Sequence, residues 1–379
     1  GATVVISQFY GARHKDDVRK AVHTSIALSI AGGAVIMVLG IAFAGVALRA
    51  MNTPEDIMSL SVTYMRIYFL GVIPSLIYNM GSGILRAIGD SKRPLYYLIA
   101  STLTNIVLDL FFVVVLRMGV AGVAIATTLS QFASAGMVIY ALMKTDDMYK
   151  LYPREIRFSP STLSAIIRIG LPAGLQSTMY SVSNLIIQAS INSFGTDTIA
   201  AWTAYSKVDG MFWMIMSAYG VSITTFAGQN FGAGKYDRIR KSVRICMGMS
   251  AFTSVLLSVI VMAGGRIFLG LFTGDPGVVD IGMSIIHVIA PTYITYICIE
   301  ILGGTARGCG DSIIPMLLTC FGVCVLRVVW ILVIVPLHRD LATVAFSYPL
   351  TWAVTSVMFI IYYLRGNWLK RNIPQGVEI

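Results

Sequence analysis

Apolar residues dominate the chain in long runs, and short polar stretches separate one run from the next. A run of about 20 apolar residues can cross the hydrocarbon core of a bilayer as an α-helix. The pattern therefore predicts a helical stub ending near Phe9, a polar stretch at 144–161, and ten complete membrane helices. The ten helices are expected at 18–48, 57–84, 94–116, 120–143, 163–193, 198–229, 239–269, 278–305, 313–336 and 342–364.

The composition favours lipid rather than water as the surroundings of most of these helices. Of the 379 residues, 56% are hydrophobic and only 12% are charged. Soluble domains carry about 25% charged residues, so this chain lacks the polar surface that a water-soluble globule of its size needs. We therefore expect an all-α polytopic protein of the cell membrane that is in contact with the lipid bilayer.

The basic residues indicate which helix ends face the cytoplasm. The formal net charge is +10, and 20 of the 28 lysines and arginines fall in alternate connections between the predicted helices. Cytoplasmic connections are enriched in basic residues, so the stretch at 144–161 and the C-terminus are expected in the cytoplasm. Because the basic residues form no domain of their own, nucleic-acid binding is not expected.

A stretch near the start of the chain recurs 221 residues later. SQFYGARHKDDVRK at 7–20 corresponds to GQNFGAGKYDRIRK at 228–241, and RAIGDSKRP at 86–94 corresponds to RGCGDSIIP at 307–315. The constant offset indicates two copies of one helical bundle, and matching loops on the same side indicate parallel repeats. The predicted parts are an N-terminal lobe at 1–143, a cytoplasmic linker at 144–161, a C-terminal lobe at 162–365 and a cytoplasmic tail at 366–379.

The two copies differ in length before the first shared motif. In the second copy about 60 residues precede Gln229, whereas seven residues precede Gln8 in the first copy. We therefore expect the sequence to lack the first helix of the N-terminal lobe and most of the second. The alternative is a ten-helix protein with an unequal first half.

The repeated motifs have the composition of tight hairpins between consecutive helices. Glycine readily adopts the positive φ that a helix end often needs, and Gly11 and Gly232 are expected to do so. The alternative is a gate, in which ion pairs across the two bundles close the cytoplasmic mouth. The residues assigned to hairpin or gate are Gln8, Gly11, Arg86, Gly89, Asp90, Gln229, Gly232, Arg307, Gly310 and Asp311.

These blocks resemble the multidrug and toxic compound extrusion (MATE) transporters. The resemblance is carried by GQNFGAGK at 228–235, GILRAIGDSKRP at 83–94, GTARGCGDSIIP at 304–315 and TNIVLDLFFVVVLRMGVAGVAIAT at 104–127. It implies twelve helices, about ten of them complete in this sequence, in two lobes around a central cavity. It also implies antiport, in which H⁺ or Na⁺ drives the export of amphipathic, often cationic, organic compounds.

Asp109 lies well inside the apolar run TNIVLDLFFVVV of a predicted membrane helix. A carboxylate at such a position is unfavourable and indicates a functional site, and Asn105 lies one turn away on the same helical face. The second copy has Leu, Trp and Tyr where the first copy has Asn105, Asp109 and Thr127. A set needed only for folding would be expected in both copies, although a structural, hydrogen-bonded Asp is the alternative.

The resemblance assigns this polar trio to a cation-coupling site. In DinF-like members the first lobe holds a proton or Na⁺ site, and Asn105, Asp109 and Thr127 stand where its Asn, Asp and Thr would be. A bound Na⁺ would lie at Asp109. NorM-like members carry a Glu eight residues after the Pro of the seventh helix, whereas this sequence has Tyr180 eight residues after Pro172. The sequence thus resembles DinF-like rather than NorM-like members.

Further polar and adaptable residues in the predicted helices are candidates for a substrate cavity. Glu300 is expected either to bind a cationic substrate or to pair with Lys207 or Arg327. Methionine adapts to varied apolar shapes, and aromatic rings attract organic cations. The candidate cavity residues are Glu300, Lys207, Tyr180, Met211, Trp213 and Met214.

The sequence contains no motif for covalent chemistry, such as HExxH or a P-loop. An enzyme is therefore not expected, nor is a cofactor other than H⁺ or Na⁺ as the coupling ion. We expect a monomer that handles small-molecule substrates. One alternative is a flippase for lipid-linked saccharides, which would need several cationic cavity residues where only Lys207 and Arg327 are placed. The other is a membrane enzyme or sensor without transport.

Overall fold

The computed structural model describes residues 1–365 and 368–369, and within them the chain is helical, without a β-strand. The residues form two compact units. Residues 2–166 make the first unit, and Gly1 together with the described residues from Ile167 onwards makes the second unit. The predicted all-α class is confirmed, and the predicted tail at 366–379 lies outside the described residues except for 368–369.

The first unit contains six helices, a π-helical segment and a 3-10 turn. They are α1 (Ala2–Gly11), α2 (Lys15–Ala50), α3 (Glu55–Leu70), α4 (Val72–Ala87), α5 (Lys92–Asp109) with the π-helix Leu110–Val115, α6 (Gly119–Lys144) and the 3-10 turn Pro153–Glu155.

The second unit contains most of α7 and all later helices. They are α7 (Pro160–Asn192), α8 (Thr196–Gly232), α9 (Tyr236–Gly270), α10 (Pro276–Ile289), the 3-10 turn Ala290–Thr292, α11 (Tyr293–Gly308), α12 (Ile313–Thr319), the π-helix Cys320–Val325, α13 (Leu326–Val329), the π-helix Trp330–Ile334 and α14 (Leu341–Arg365).

Eight helical spans within the described residues are long and apolar enough to cross a membrane, or nine when α3 and α4 count as one bent span. The sequence pattern predicted ten. The remaining helix is α7, which has 33 residues but carries a polar face. Ser177, Ser181, Asn184 and Gln188 recur along it every three or four residues, and each is exposed or half-buried.

Two of the predicted helices are broken. The helix predicted at 57–84 divides at Gly71 into α3 and α4, which meet at an angle of 43°. The helix predicted at 278–305 divides at the 3-10 turn that contains Pro291. Proline lacks the amide donor that a continuous helix requires. Pro172, in contrast, lies within the unbroken α7.

The hairpins that follow α4 and α11 have the same backbone geometry in both copies. Gly89 has φ of 94° and Gly310 has φ of 92°. The amide of Gly89 donates to the Arg86 carbonyl at 2.9 Å, as the amide of Gly310 donates to the Arg307 carbonyl at 2.9 Å. The next amide donates to the carbonyl five residues before it in each copy. This Schellman arrangement explains why the motif requires glycine.

The first pair of hairpins also matches, but the prediction for Gly11 and Gly232 is wrong. These glycines are the last residues of α1 and α8, and the positive φ lies two residues later. It falls on Arg13, with φ of 58°, and on Gly234, with φ of 68°. The helix continues through the shared glycine because the bonds that end it involve the later amides.

The polar stretch predicted as a linker packs onto α2. The Tyr152 amide donates to Nε2 of the buried His23 at 3.0 Å, and the Ser159 amide donates to the Thr24 hydroxyl at 3.1 Å. Nε of Arg19 donates to Glu155 at 2.8 Å. These bonds hold the stretch against the N-terminal half of α2 within the first unit.

Candidate functional site

Asp109 is the last residue of α5, immediately before the π-helix Leu110–Val115. The Leu116 amide donates to the Phe111 carbonyl at 3.0 Å, which is the five-residue spacing of a π-helix. Short π-helical segments within longer helices are frequent at functional sites. The local backbone therefore marks Asp109 independently of its charge.

Within the described residues, Oδ1 of Asp109 and Nδ2 of Asn105 are both buried and have no hydrogen-bond partner. Leaving a buried polar atom unpaired is unfavourable by about 1–3 kcal/mol, and most buried polar atoms in native proteins have a hydrogen-bond partner. The alternative of a hydrogen-bonded structural Asp receives no support at Oδ1. The oxygen is free to take a proton or to coordinate a cation.

Thr127, the third member of the predicted trio, lies on α6. Its hydroxyl donates to the Val123 carbonyl of its own helix at 3.0 Å. No hydrogen bond joins it to Asn105 or Asp109 within the described part of the chain. The Thr127 hydroxyl therefore has its partner within α6, whereas Nδ2 of Asn105 and Oδ1 of Asp109 have none.

Glu300 lies on α11 and pairs along its own helix. Its Oε2 accepts from the Tyr296 hydroxyl at 3.1 Å, and its Oε1 lies 3.8 Å from Nη2 of Arg307. The predicted pairing with Lys207 or Arg327 is therefore wrong, because Arg307 is within reach two turns away. The same carboxylate packs against α8, where a Cβ on Gly220 would lie only 1.8 Å from Oε1.

The remaining cavity candidates separate into two groups. Lys207, Met211 and Met214 are exposed on α8. Tyr180 and Trp213 instead line a cavity of about 530 Å³ inside the second unit. The sequence alone did not show that these five residues belong to different surroundings.

Two charged residues line this cavity: Asp209, which was not among the predicted site residues, and Arg327, which the sequence analysis named only as a possible partner of Glu300 and under the flippase alternative. Asp209 of α8 accepts from Nε1 of Trp213 at 2.7 Å and from the Tyr293 hydroxyl at 2.7 Å. Arg327 of α13 is 2% exposed and donates from Nη2 to the Thr351 hydroxyl at 3.0 Å. The rule that identified Asp109, a charge within an apolar helix, could also have identified Asp209.

The hairpin carboxylates make contacts inside their own units. Asp90 accepts from the backbone amides of Lys92 and Arg93 at 3.0 and 3.1 Å and forms an ion pair with the Arg93 side chain. Burial raises the pKa of the Asp90 carboxyl, but the hydrogen bonds and charge of Arg93 outweigh it and hold the pKa below its usual value. Asp311 accepts from the Tyr362 hydroxyl. These contacts favour a hairpin role.

The other hairpin residues stand at helix ends. The backbone carbonyls of Gln8 and Gln229 accept from the amides of Ala12 and Ala233, at 2.9 and 3.0 Å. Arg86 lies in the last turn of α4, as Arg307 does in α11. A cation is favoured at a helix C-terminus, so these positions are explained by local structure.

The described residues contain no group of three or more His, Cys, Asp or Glu side chains that could hold a metal ion. A cation at Asp109 would meet its carboxylate, and amide, hydroxyl or backbone oxygens could complete the donor set. Both H⁺ and Na⁺ are compatible with such a donor set.

Comparison with known proteins gives a consistent assignment. The sequence profile of the family described as MatE matches residues 1–111 and 172–333. The chain is 25% identical over 386 aligned residues to "Probable multidrug resistance protein YoeA" of Bacillus subtilis (strain 168), covering 100% of this chain and 83% of that protein. It is 24% identical to "Probable multidrug resistance protein NorM" of Thermotoga maritima, covering 98% of this chain and 81% of that protein.

Among solved structures, "Crystal structure of MATE in the bent conformation" superposes with a TM-score of 0.90. The two sequences are 21% identical, and the match covers 98% of this chain and 83% of that chain. At this identity the likeness concerns the fold.

Proposed function

Because this chain belongs to the MatE family of membrane transporters, we propose that it exports amphipathic organic cations from the cell in exchange for H⁺ or Na⁺. The names of its relatives, which describe multidrug resistance proteins, support drug-like substrates. The family assignment also separates the chain from enzymes. Coupling to a cation, and the direction of exchange, belong to the proposal.

The observation that carries the proposal is the unpaired oxygen of Asp109. A carboxylate in a membrane helix is unfavourable until a proton or cation neutralises it. Oδ1 of Asp109 lacks a hydrogen-bond partner within the described residues, so no protein donor already fills that role. Binding of the coupling cation would then stabilise one conformation over the other by the difference in its affinity for the two.

A polar face on α7 supports a substrate path along the second unit. Ser177, Ser181 and Asn184 are exposed on a helix of membrane-spanning length. Polar side chains inside a bilayer face a bundle interior or a water-filled cavity rather than lipid. Met211 and Met214, also exposed on the neighbouring α8, offer the adaptable apolar contacts that varied organic cations require.

The flippase alternative lacks a supporting observation. A pyrophosphate would require several cations on one surface. Lys207 is exposed on α8, whereas Arg327 is 2% exposed inside the second unit. Arg327 lines a cavity of the second unit that Lys207 does not line, so the two cations do not share one surface for a lipid-linked diphosphate, and the proposal remains drug export.

The test is cation-driven transport by the full-length protein in proteoliposomes, with ethidium as the probe and pH and Na⁺ gradients imposed separately. We expect Asp109→Asn to reduce gradient-driven ethidium transport at least tenfold. Asp280→Asn is the matched control, because Asp280 is an exposed carboxylate that pairs with Arg266 at 2.7 Å. It should retain transport within about twofold.

Size-exclusion profiles establish that both variants are folded. Undiminished gradient-driven transport by a folded Asp109→Asn protein would overturn the role of Asp109. Ethidium movement that responds to neither gradient in the wild-type protein would overturn cation coupling as a whole.

A further inference from the structure

Arg327 carries a charge that interacts electrostatically with Asp209 of the same unit but forms no direct ion pair within the described residues. Its side chain is 2% exposed, and within the described residues no carboxylate lies within ion-pair distance of it. The guanidinium makes one hydrogen bond, to the Thr351 hydroxyl at 3.0 Å, and lies 4.1 Å from the centroid of the Tyr348 ring. Its Nε is buried without a hydrogen-bond partner.

A buried, unpaired cation is one of the least favourable groups in a folded protein. Guanidinium groups have five N–H donors, and buried charges are normally paired with an opposite charge. The Thr351 hydroxyl is neutral, and it already donates to the Ser347 carbonyl at 2.7 Å. A counter-charge from outside the chain would complete the site.

Arg327 lies on the wall of the cavity of about 530 Å³ inside the second unit. That volume is typical of sites for small organic ligands. Two lining residues, Asn184 and Ser206, are exposed, so the cavity opens to the surface of the unit. A ligand can therefore reach Arg327 without unfolding the bundle.

The rest of the wall selects for aromatic ligands. Trp202, Trp213 and Tyr348 line the same cavity, and aromatic rings pair favourably by offset or edge-to-face contacts. Asp209 also lines it, but both of its oxygens already accept from Trp213 and Tyr293. Asp209 therefore acts on Arg327 only through its charge, and the guanidinium still lacks a charged partner at hydrogen-bond distance.

We propose that this cavity is a binding site for small aromatic carboxylates, whose carboxylate is held by Arg327 and whose ring lies against the tryptophan and tyrosine side chains. A planar guanidinium matches a carboxylate through parallel hydrogen bonds. The site goes beyond the proposed cation export and does not depend on it, because binding requires no gradient.

The test uses the purified full-length protein in detergent, with 9-anthroate and its neutral amide, 9-anthramide, as probes. Trp202 and Trp213 line the cavity, so energy transfer from tryptophan to the anthracene ring reports binding. We expect the wild-type protein to bind the acid at least tenfold more tightly than the amide. Arg327→Gln should remove this preference, because it weakens binding of the acid and leaves binding of the amide unchanged.

Arg339→Gln is the matched control, because Arg339 is exposed and donates to the Ser193 carbonyl at 3.2 Å outside this cavity. It should keep the preference for the acid. Arg327→Lys keeps the charge without the planar donors, so it should keep part of the preference. Wild-type protein that binds acid and amide equally, or a folded Arg327→Gln protein that still prefers the acid, would overturn the site.

If Arg327→Gln does not fold, the comparison of acid with amide in the wild-type and Arg327→Lys proteins decides the question.

Discussion

The two units place opposite charges in equivalent helices. In the first unit, α5 contains Asp109 and continues into one π-helix; in the second, the equivalent segment from Ile313 to Ile334 contains Arg327. By the offset of 221 residues, Asp109 corresponds to Trp330 and Arg327 corresponds to Ile106. The equivalent helices therefore carry opposite charges at different positions.

Arg327 and its counterpart Ile106 also differ in their exposure. Ile106 is 50% exposed, whereas Arg327 is 2% exposed. The second unit has a π-helix at Cys320–Val325, just before Arg327, and at the equivalent place in the first unit α5 is a regular α-helix. A π-helical turn takes more residues than an α-helical one and rotates the side chains that follow it. The π-helix thus accompanies the change from an exposed position at Ile106 to a buried one at Arg327.

The hydrogen-bond partners at the equivalent positions also differ between the two units. Trp330 donates from Nε1 to the Thr343 carbonyl at 2.9 Å, whereas its counterpart Asp109 has an unpaired Oδ1. Tyr348, the counterpart of Thr127, lies beneath Arg327. The two copies therefore share a helix that contains one charge deep in its apolar run, but the position, the sign and the partners of that charge differ.

The largest expected effect tests whether Asp209, which is buried, and Asp109, whose Oδ1 is buried, have different roles. Asp209→Ala should lower the free energy of unfolding by about 2 kcal/mol or more, because Trp213 and Tyr293 lose their acceptor. Asp109→Ala removes no hydrogen bond at Oδ1 and should leave stability unchanged or raised. Thermal unfolding in detergent measures both, and equal losses would contradict the distinction.

The second prediction tests the matched hairpins. Gly89→Ala and Gly310→Ala should each lower the free energy of unfolding by about 1–2 kcal/mol, because alanine is strained at positive φ. Gly11→Ala and Gly232→Ala are the controls, since those glycines are helical and alanine favours a helix. Thermal unfolding should show losses for the first pair alone, and a marked difference between Gly89 and Gly310 would break the equivalence.

A smaller effect is expected where the hairpins differ in sequence. Arg13 adopts φ of 58° where the second copy has Gly234. Arg13→Gly should stabilise the first unit by at most about 1 kcal/mol, because relief of the strained backbone is partly offset by the greater freedom of glycine in the unfolded chain. Gly234→Ala should be destabilising. Both are measured as shifts in the unfolding temperature, and shifts of the same sign would contradict the assignment.

The smallest expected effect is the loss of stability at low pH that results from protonation of Asp90. The pKa of Asp90 is lowered in the folded protein, so its ion pair with Arg93 contributes stability at pH values above the unfolded pKa of about 4. That contribution is lost as the pH falls through the lower folded pKa. Because the Arg93 side chain is 38% exposed, less than about 1 kcal/mol is expected.

Asp90→Asn should flatten this acid limb of the stability profile, measured by thermal unfolding between about pH 3 and pH 6. Asp311→Asn is the comparison, because Asp311 accepts from the Tyr362 hydroxyl rather than from a hairpin arginine. An acid limb that Asp90→Asn leaves unchanged would show that this ion pair does not contribute.

Period and composition were enough to predict the all-α class, the approximate positions of most helices and the repeat. Apolar runs decide where a chain enters lipid, and the offset between motifs depends on residue order alone. The same reasoning identified Asp109, because an acid in an apolar helix is visible in the sequence. It also found the hairpin at Gly89 and Gly310, although it placed the left-handed residue at Gly11 rather than at Arg13.

The tertiary structure decided which charged side chain meets which partner. Sequence spacing left Glu300 with several possible partners. Arg307 was identified only from the positions of the two side chains along α11, where Nη2 of Arg307 lies 3.8 Å from Oε1 of Glu300. The helix break at Gly71 and the π-helix before Arg327 were not predicted from the sequence. Each of them, like the break at Pro291, changes which side of the helix the following side chains occupy, compared with a regular α-helix. The cavity around Arg327 is formed by α7, α8, α11, α13 and α14 together. No local pattern contains that arrangement, because it depends on how five helices pack.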